Sequence, residues 1–143
     1  MKHILVPTDF SDNAWNALKY GIELFQKTKC TFYLVHINPI PTYSGAGTSL
    51  RTASEDFRQN ILKESKLELQ NLLGQIAKET TQTSKHTFVP IALYDFFVDA
   101  IKRESENKKI DLIIMGTKGA SGLKKATIGS NTGDVITKVK CPL

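Results

Sequence analysis

The run Leu112-Ile113-Ile114-Met115 is apolar at every position and ends at Gly116. A strand with one face in water alternates apolar and polar residues, whereas a strand covered on both faces does not need to. This run therefore predicts a parallel sheet with helices packed above and below it. The segments His3 to Pro7, Cys30 to Ile37 and His86 to Leu93 share its character, being short and rich in Ile, Val, Leu or Phe, so four strands are expected in all, the fourth being Asp111 to Met115.

Helical spacing fills the intervals. Ala14, Leu18, Ile22 and Phe25 repeat behind Ser11, a good N-cap residue. Thr52-x-x-Glu55 has the form of a capping box, and Phe57, Ile61, Leu69, Leu72 and Ile76 continue a long second helix that should end by Thr80. A third helix is expected near Asp95, with Phe97, Val98 and Ile101 on its apolar side. A fourth is expected from Ser130, with Val135, Ile136 and Val139. Strands that alternate with helices give a doubly wound, Rossmann-like α/β fold. The segment from Asn38 to Leu50 holds Pro39, Pro41, Gly45 and Gly47 and reads as a long connection.

The 143 residues suffice for one domain with a substantial core. The two cysteines, Cys30 and Cys141, form no CxxC or Cys/His cluster, which argues against a zinc or redox motif and fits a reducing, cytoplasmic setting. No signal peptide or membrane span is expected. The net charge of +5 comes from basic residues interleaved with acidic ones, as in Lys102-Arg103-Glu104, a solvated pattern rather than a nucleic-acid stripe. Lys118, Lys124 and Lys125 cluster near glycines and are either solubility charges or counter-charges for a phosphate.

In an open parallel sheet, ligands bind beyond the carboxyl ends of the strands where the strand order reverses. Pro7-Thr8-Asp9 follows the first strand; Gly116-Thr117-Lys118-Gly119-Ala120-Ser121-Gly122 follows the fourth, with Gly129-Ser130 opening the next helix. Glycines let the backbone approach a ligand, and the free N–H groups of a helix start suit an anion. These are the parts of a phosphate cradle, although a glycine-rich turn with a serine cap has the same composition. Neither the P-loop nor the dinucleotide fingerprint is present. The spacing is Gly116-x2-Gly119-x9-Gly129-Ser130.

That spacing resembles the nucleotide-binding branch of the universal stress protein family, and the likeness extends over nearly the whole chain. Ile4-Leu5-Val6-Pro7-Thr8-Asp9-Phe10-Ser11 resembles the family's first strand and turn, Leu34-Val35-His36 its second strand, and Asp111 to Gly116 its fourth. The resemblance implies a fold of the adenine nucleotide alpha hydrolase-like kind and ATP as ligand. Pro7, Thr8 and Asp9 would border the adenine and ribose, His36 or Ile37 would line the base pocket, and Met115 and Gly116 would lie against the ribose. Gly119, Gly129, Ser130, Asn131 and Thr132 are implied for the phosphates, with Mg2+ or Mn2+ carried on phosphate oxygens, and Thr117 is implied as a further nucleotide-binding residue.

Two departures set further expectations. Leu93-Tyr94-Asp95-Phe96-Phe97 stands where the family often has a glycine followed by a small or acidic residue, so Tyr94 either stacks on the base or packs at the rim. Only Cys141-Pro142-Leu143 follows the last helix, which suggests a missing edge strand and a fragment such as one half of a tandem pair; the expected partner is a second copy in a homodimer or a tandem domain. No catalytic pair is evident: Asp9 reads as a turn or ribose residue, His36 as a packed strand-end residue, and His3 and His86 as surface or strand-edge residues. The functional expectation is an ATP-binding regulatory module with at most slow hydrolysis. The alternatives are a nucleotide-free interaction module, with Tyr94, Phe96 and Phe97 crowding the pocket, or an ATP-using enzyme of a related fold, whose Ser-Gly-Gly or His-x-Gly-His motifs are absent after the first strand.

Overall fold

Four parallel strands, β1 (Lys2–Pro7), β2 (Cys30–Pro39), β3 (His86–Asp95) and β4 (Leu112–Ile113), pair in the order β3-β2-β1-β4. The computed structural model describes residues 2–39, 47–80 and 84–116. The expected fourth helix and Cys141-Pro142-Leu143, on which the reading of a missing edge strand rests, lie outside the described residues.

Chain direction and strand order together dictate where the helices go. Helices α1 (Asp12–Leu24) and α2 (Gly47–Glu79) follow two successive steps in one direction, from β1 to β2 and on to β3. The step from β3 back across to β4 runs the other way, so crossovers of one hand place α3 (Phe97–Asn107) on the opposite face. The two cores confirm this. Ile4, Val6, Phe32 and Leu34 pack with Leu18 and Ile22 of α1 and Leu69, Leu72 and Ile76 of α2. Leu5, Val35, Ile37 and Ile113 pack with Ala100 and Ile101 of α3. Consecutive residues of β1 thus enter opposite cores, and Leu112 and Ile114 join one while Ile113 and Met115 join the other. That is why the Leu112 to Met115 run carries no polar residue.

Helix α1 starts where its cap predicts: Ser11 Oγ accepts from the Ala14 N–H at 3.2 Å. Gly21 in mid-helix faces Ile114, just after β4, and a Cβ there would lie 2.5 Å from Ile114 Cδ1. The expected start of α2 is corrected. Thr52 and Glu55 fall inside a helix that already begins at Gly47, so the connection after β2 is shorter than Asn38 to Leu50. Its C-terminal end agrees, with Thr80 closing it through N–H and Oγ1 bonds to the Ile76 carbonyl. The start of α3 shifts too: β3 continues through Tyr94 and Asp95 because Asn38 and Pro39 of β2 remain in register with them. The helix opens at Phe97, and Asp95 Oδ1 accepts the Phe96 N–H at 2.7 Å.

The end of α3 holds Lys109 at φ 51°, in the left-handed region, while the Ile110 N–H returns to the Ser105 carbonyl at 3.0 Å. This is a Schellman-type cap occupied by a residue with a Cβ. Lys109→Gly is expected to raise unfolding free energy by about 1 kcal/mol, read from urea denaturation at constant slope.

Candidate functional site

Where β1 ends, the chain turns through a set of side-chain-to-backbone bonds. The Thr8 N–H still donates to the Val35 carbonyl of β2 at 2.8 Å. Thr8 Oγ1 then accepts from the Phe10 N–H at 3.1 Å, Asp9 Oδ1 from the Ser11 N–H at 3.0 Å, and Ser11 Oγ caps α1. Short polar side chains of this kind replace the ladder bonds lost at a strand end. Together they hold Phe10 at φ 64°, a conformation that residues with a Cβ seldom adopt and that is enriched at binding sites.

His36 buttresses this turn from β2. Its Nδ1 lies 2.8 Å from the Thr8 carbonyl, and its ring tilts against Phe10 with centroids 4.6 Å apart. A carbonyl only accepts, so Nδ1 carries the proton of this hydrogen bond. The packed strand-end reading of His36 describes these contacts. Ile37, 6% exposed, turns to the other face and packs with Leu5 and Ile113 in the cluster that Met115 borders. The two residues offered together for the base pocket are therefore on opposite sides of the sheet, with Ile37 and Met115 sharing one side.

The loop after β4 reaches the same turn from its other flank. The Ile114 N–H donates to the Leu5 carbonyl at 2.9 Å, and two residues later Gly116 crosses the first turn of α1. A Cβ on Gly116 would sit 3.2 Å from both the carbonyl carbon and oxygen of Asn13. Backbone on both sides of this contact leaves room only for glycine without displacement. Pro7, Thr8, Asp9, Met115 and Gly116 are thereby assembled at the junction of β1 and β4, on either side of which the connections run in opposite directions. Thr117, Gly119, Gly129, Ser130, Asn131 and Thr132 lie outside the described residues, as do Lys118, Lys124 and Lys125.

The departures from the family pattern also acquire positions. Tyr94 packs edge-on against Phe57 of α2, with centroids 6.4 Å apart, on the outermost described strand; this is rim packing. Phe97 joins the α3-side cluster and Phe96 is exposed. His3 and His86 sit at the opposite, amino-terminal end of the sheet. The His3 N–H donates to Asp111 Oδ2 at 2.8 Å, and His86 Nε2 lies 2.8 Å from the Phe25 carbonyl. A part-buried polar tie beside the site was not anticipated: Asn38 Nδ2 donates to Ser65 Oγ at 2.8 Å and to the Leu93 carbonyl at 3.3 Å, joining β2, β3 and α2. A polar pair at Asn38 and Ser65, the latter on the helix face that otherwise carries Leu69 and Leu72, is the signal that was available.

At the end of β3, Asp95 pairs with Arg103 at 2.7 Å. Partial burial raises the Asp95 pKa, but bonds from Arg103 and the Phe96 N–H and the charges of Arg103 and Arg58 outweigh it and hold the carboxyl below 3.8. A carboxyl more acidic when folded than when unfolded stabilises the fold above the unfolded value, and that contribution fades as pH drops through the folded value. Asp95→Asn is accordingly expected to lower the denaturation midpoint at neutral pH, with the gap to wild type closing below pH 3.8; denaturation across acidic pH reads this directly.

The sequence profile described as the universal stress protein family matches residues 1–143. The chain belongs to the universal stress protein family. The universal stress protein MJ0577 of Methanocaldococcus jannaschii is 30% identical to it, the match covering 99% of this chain and 92% of that protein. The solved structure of MJ0577 superposes with a TM-score of 0.80 at 26% identity, over 99% of this chain and 92% of the other. Universal stress protein UspA from Lactobacillus plantarum also gives a TM-score of 0.80, at 20% identity and 99% and 94% coverage. A family protein from Arabidopsis thaliana with AMP bound gives 0.62, at 14% identity and 99% and 88% coverage. Likeness at these last two identities establishes the shared fold. Among the described residues no helix is long and apolar enough to cross a membrane.

Proposed function

We propose that this universal stress protein binds ATP at the junction of β1 and β4 and acts as a nucleotide-dependent regulatory module in stress adaptation. The observation that carries the reading is the close approach of Gly116 to the first turn of α1, which puts the start of the Gly116-x2-Gly119-x9-Gly129-Ser130 loop beside the Thr8 to Ser11 turn. The base and ribose would lie among Pro7, Thr8, Asp9, Ile37, Met115 and Gly116, and the phosphates on Gly119, Gly129, Ser130, Asn131 and Thr132, with Thr117 also in contact with the nucleotide. AMP in the Arabidopsis relative supports an adenine nucleotide.

Mg2+ or Mn2+ belongs to this reading as a passenger on phosphate oxygens, since such ions keep much of their shell of water and phosphate ligands. Asp9 Oδ1 accepts the Ser11 N–H, which favours a turn-forming role over general base catalysis, and the reading includes at most slow hydrolysis. The module works in the cytoplasm, as a homodimer or as half of a tandem pair. Supernatant of heat-denatured purified protein should contain adenine nucleotide, and added ATP with magnesium should raise the melting temperature of stripped protein. Folded protein that neither retains nucleotide nor responds to it would leave the nucleotide-free interaction module as the better reading.

A further inference from the structure

We infer a second small-molecule site between α1 and α2, on the face of the sheet opposite Ile37 and Met115, that accepts a neutral one- or two-ring heteroaromatic compound bearing an N–H donor. A cavity of about 210 Å³ opens there beneath the Thr8 to Ser11 turn. That is about seven times the volume one water occupies in the liquid, and smaller than sites for drug-sized ligands. Its floor is Leu18 and Leu72, both buried, and its aromatic walls are Phe10 and Trp15. Flat rings facing an apolar floor suit an aromatic ligand by stacking or edge contact.

The rim sets the ligand's hydrogen-bonding pattern. Glu68, Asn71 and Gln75 project from α2 at spacings of three and four residues, in one row along the edge of its buried face. Among the described residues these three side chains have no hydrogen bond or ion pair. A carboxylate accepts only, so Glu68 calls for an N–H, while the two amides offer both a donor and an acceptor for a ring nitrogen or carbonyl. The Trp15 ring already has a cation beside it, Lys19 Nζ at 5.6 Å, which favours a neutral ligand over a second cation. Phe10, in its left-handed conformation and in contact with His36, lines this cavity.

Trp15 is the only tryptophan, and its indole N–H resonance reports the cavity directly. Benzimidazole, titrated at neutral pH, should shift that resonance saturably, both without nucleotide and with excess ATP and magnesium. N-methylbenzimidazole, which lacks the donor, should bind about tenfold more weakly to wild type, and Glu68→Leu, which removes the acceptor at an exposed helix position, should erase most of that difference. Asn71→Phe, an exposed position on α2, should fill the cleft and abolish the shift while the rest of the spectrum stays folded. A non-saturating response, equal binding by Asn71→Phe, no preference for the N–H compound, or displacement by ATP would each overturn the proposal. Its outcome is independent of whether ATP binds.

Discussion

Gly129→Val is expected to weaken binding of ATP with magnesium by about 100-fold or more while leaving the urea midpoint of the free protein nearly unchanged. The position falls beyond the described residues, and loop chemistry alone sets the expectation. In the spacing Gly116-x2-Gly119-x9-Gly129-Ser130, Gly129 immediately precedes the expected helix start, where backbone N–H groups meet a phosphate. A branched side chain there keeps the ligand from the backbone, and each bond lost to a charged oxygen is worth about 1.5–3 kcal/mol. Losing two such bonds accounts for the expected factor, since 1.4 kcal/mol is about tenfold. Calorimetric titration of the variant against wild type checks it. Affinity within a fewfold of wild type would mean that the phosphates are held elsewhere.

Phe32→Ala should remove about 3–5 kcal/mol of stability, the range for emptying a fully buried aromatic site. Phe32 is 0% exposed at the centre of the sheet, stacks on Phe88 at 5.3 Å and meets the edge of His86 at 5.0 Å. Domains of this kind have about 5–15 kcal/mol in total, so this change alone would remove a large share of the chain's stability. Leu67→Ala is the contrast: Leu67 is 60% exposed, and its loss should stay within about 0.5 kcal/mol. Chemical denaturation of both variants separates core burial from a general sensitivity of the protein.

Much of this architecture is legible in the amino-acid order because local and global preferences agree. The unbroken apolar run at Leu112 to Met115 requires two covered faces, and the two cores supply them. Ser11 is a cap by residue type and by geometry. Legibility fails where a pattern is shared by different contexts. Thr52-x-x-Glu55 has the form of a capping box, but a threonine and a glutamate three apart are equally compatible with a helix interior, and α2 runs through them from Gly47. Asp95 looks like a helix start, yet pairing with β2 holds it in β3 and Arg103 engages its carboxylate.

The candidate site divides in the same manner. Residues that follow strands could be named from order alone, because ligands gather at strand carboxyl ends. What each does there depends on side-chain alternation and on contacts distant in sequence. His36 and Ile37 are neighbours in the chain but enter opposite faces, and only the strand register decides which one shares a side with Met115. The left-handed Phe10 is unexpected for a bulky aromatic, since its conformation is imposed by Thr8, Asp9 and Ser11 acting together. Gly116 reads as a loop residue in the sequence; its reason is the Asn13 backbone pressed against it.

The most direct test of nucleotide binding is isothermal titration calorimetry of folded, nucleotide-stripped protein with ATP and magnesium. A saturable isotherm with one site per chain is the predicted result. A flat trace from protein whose folding is verified by a cooperative thermal transition would contradict the account.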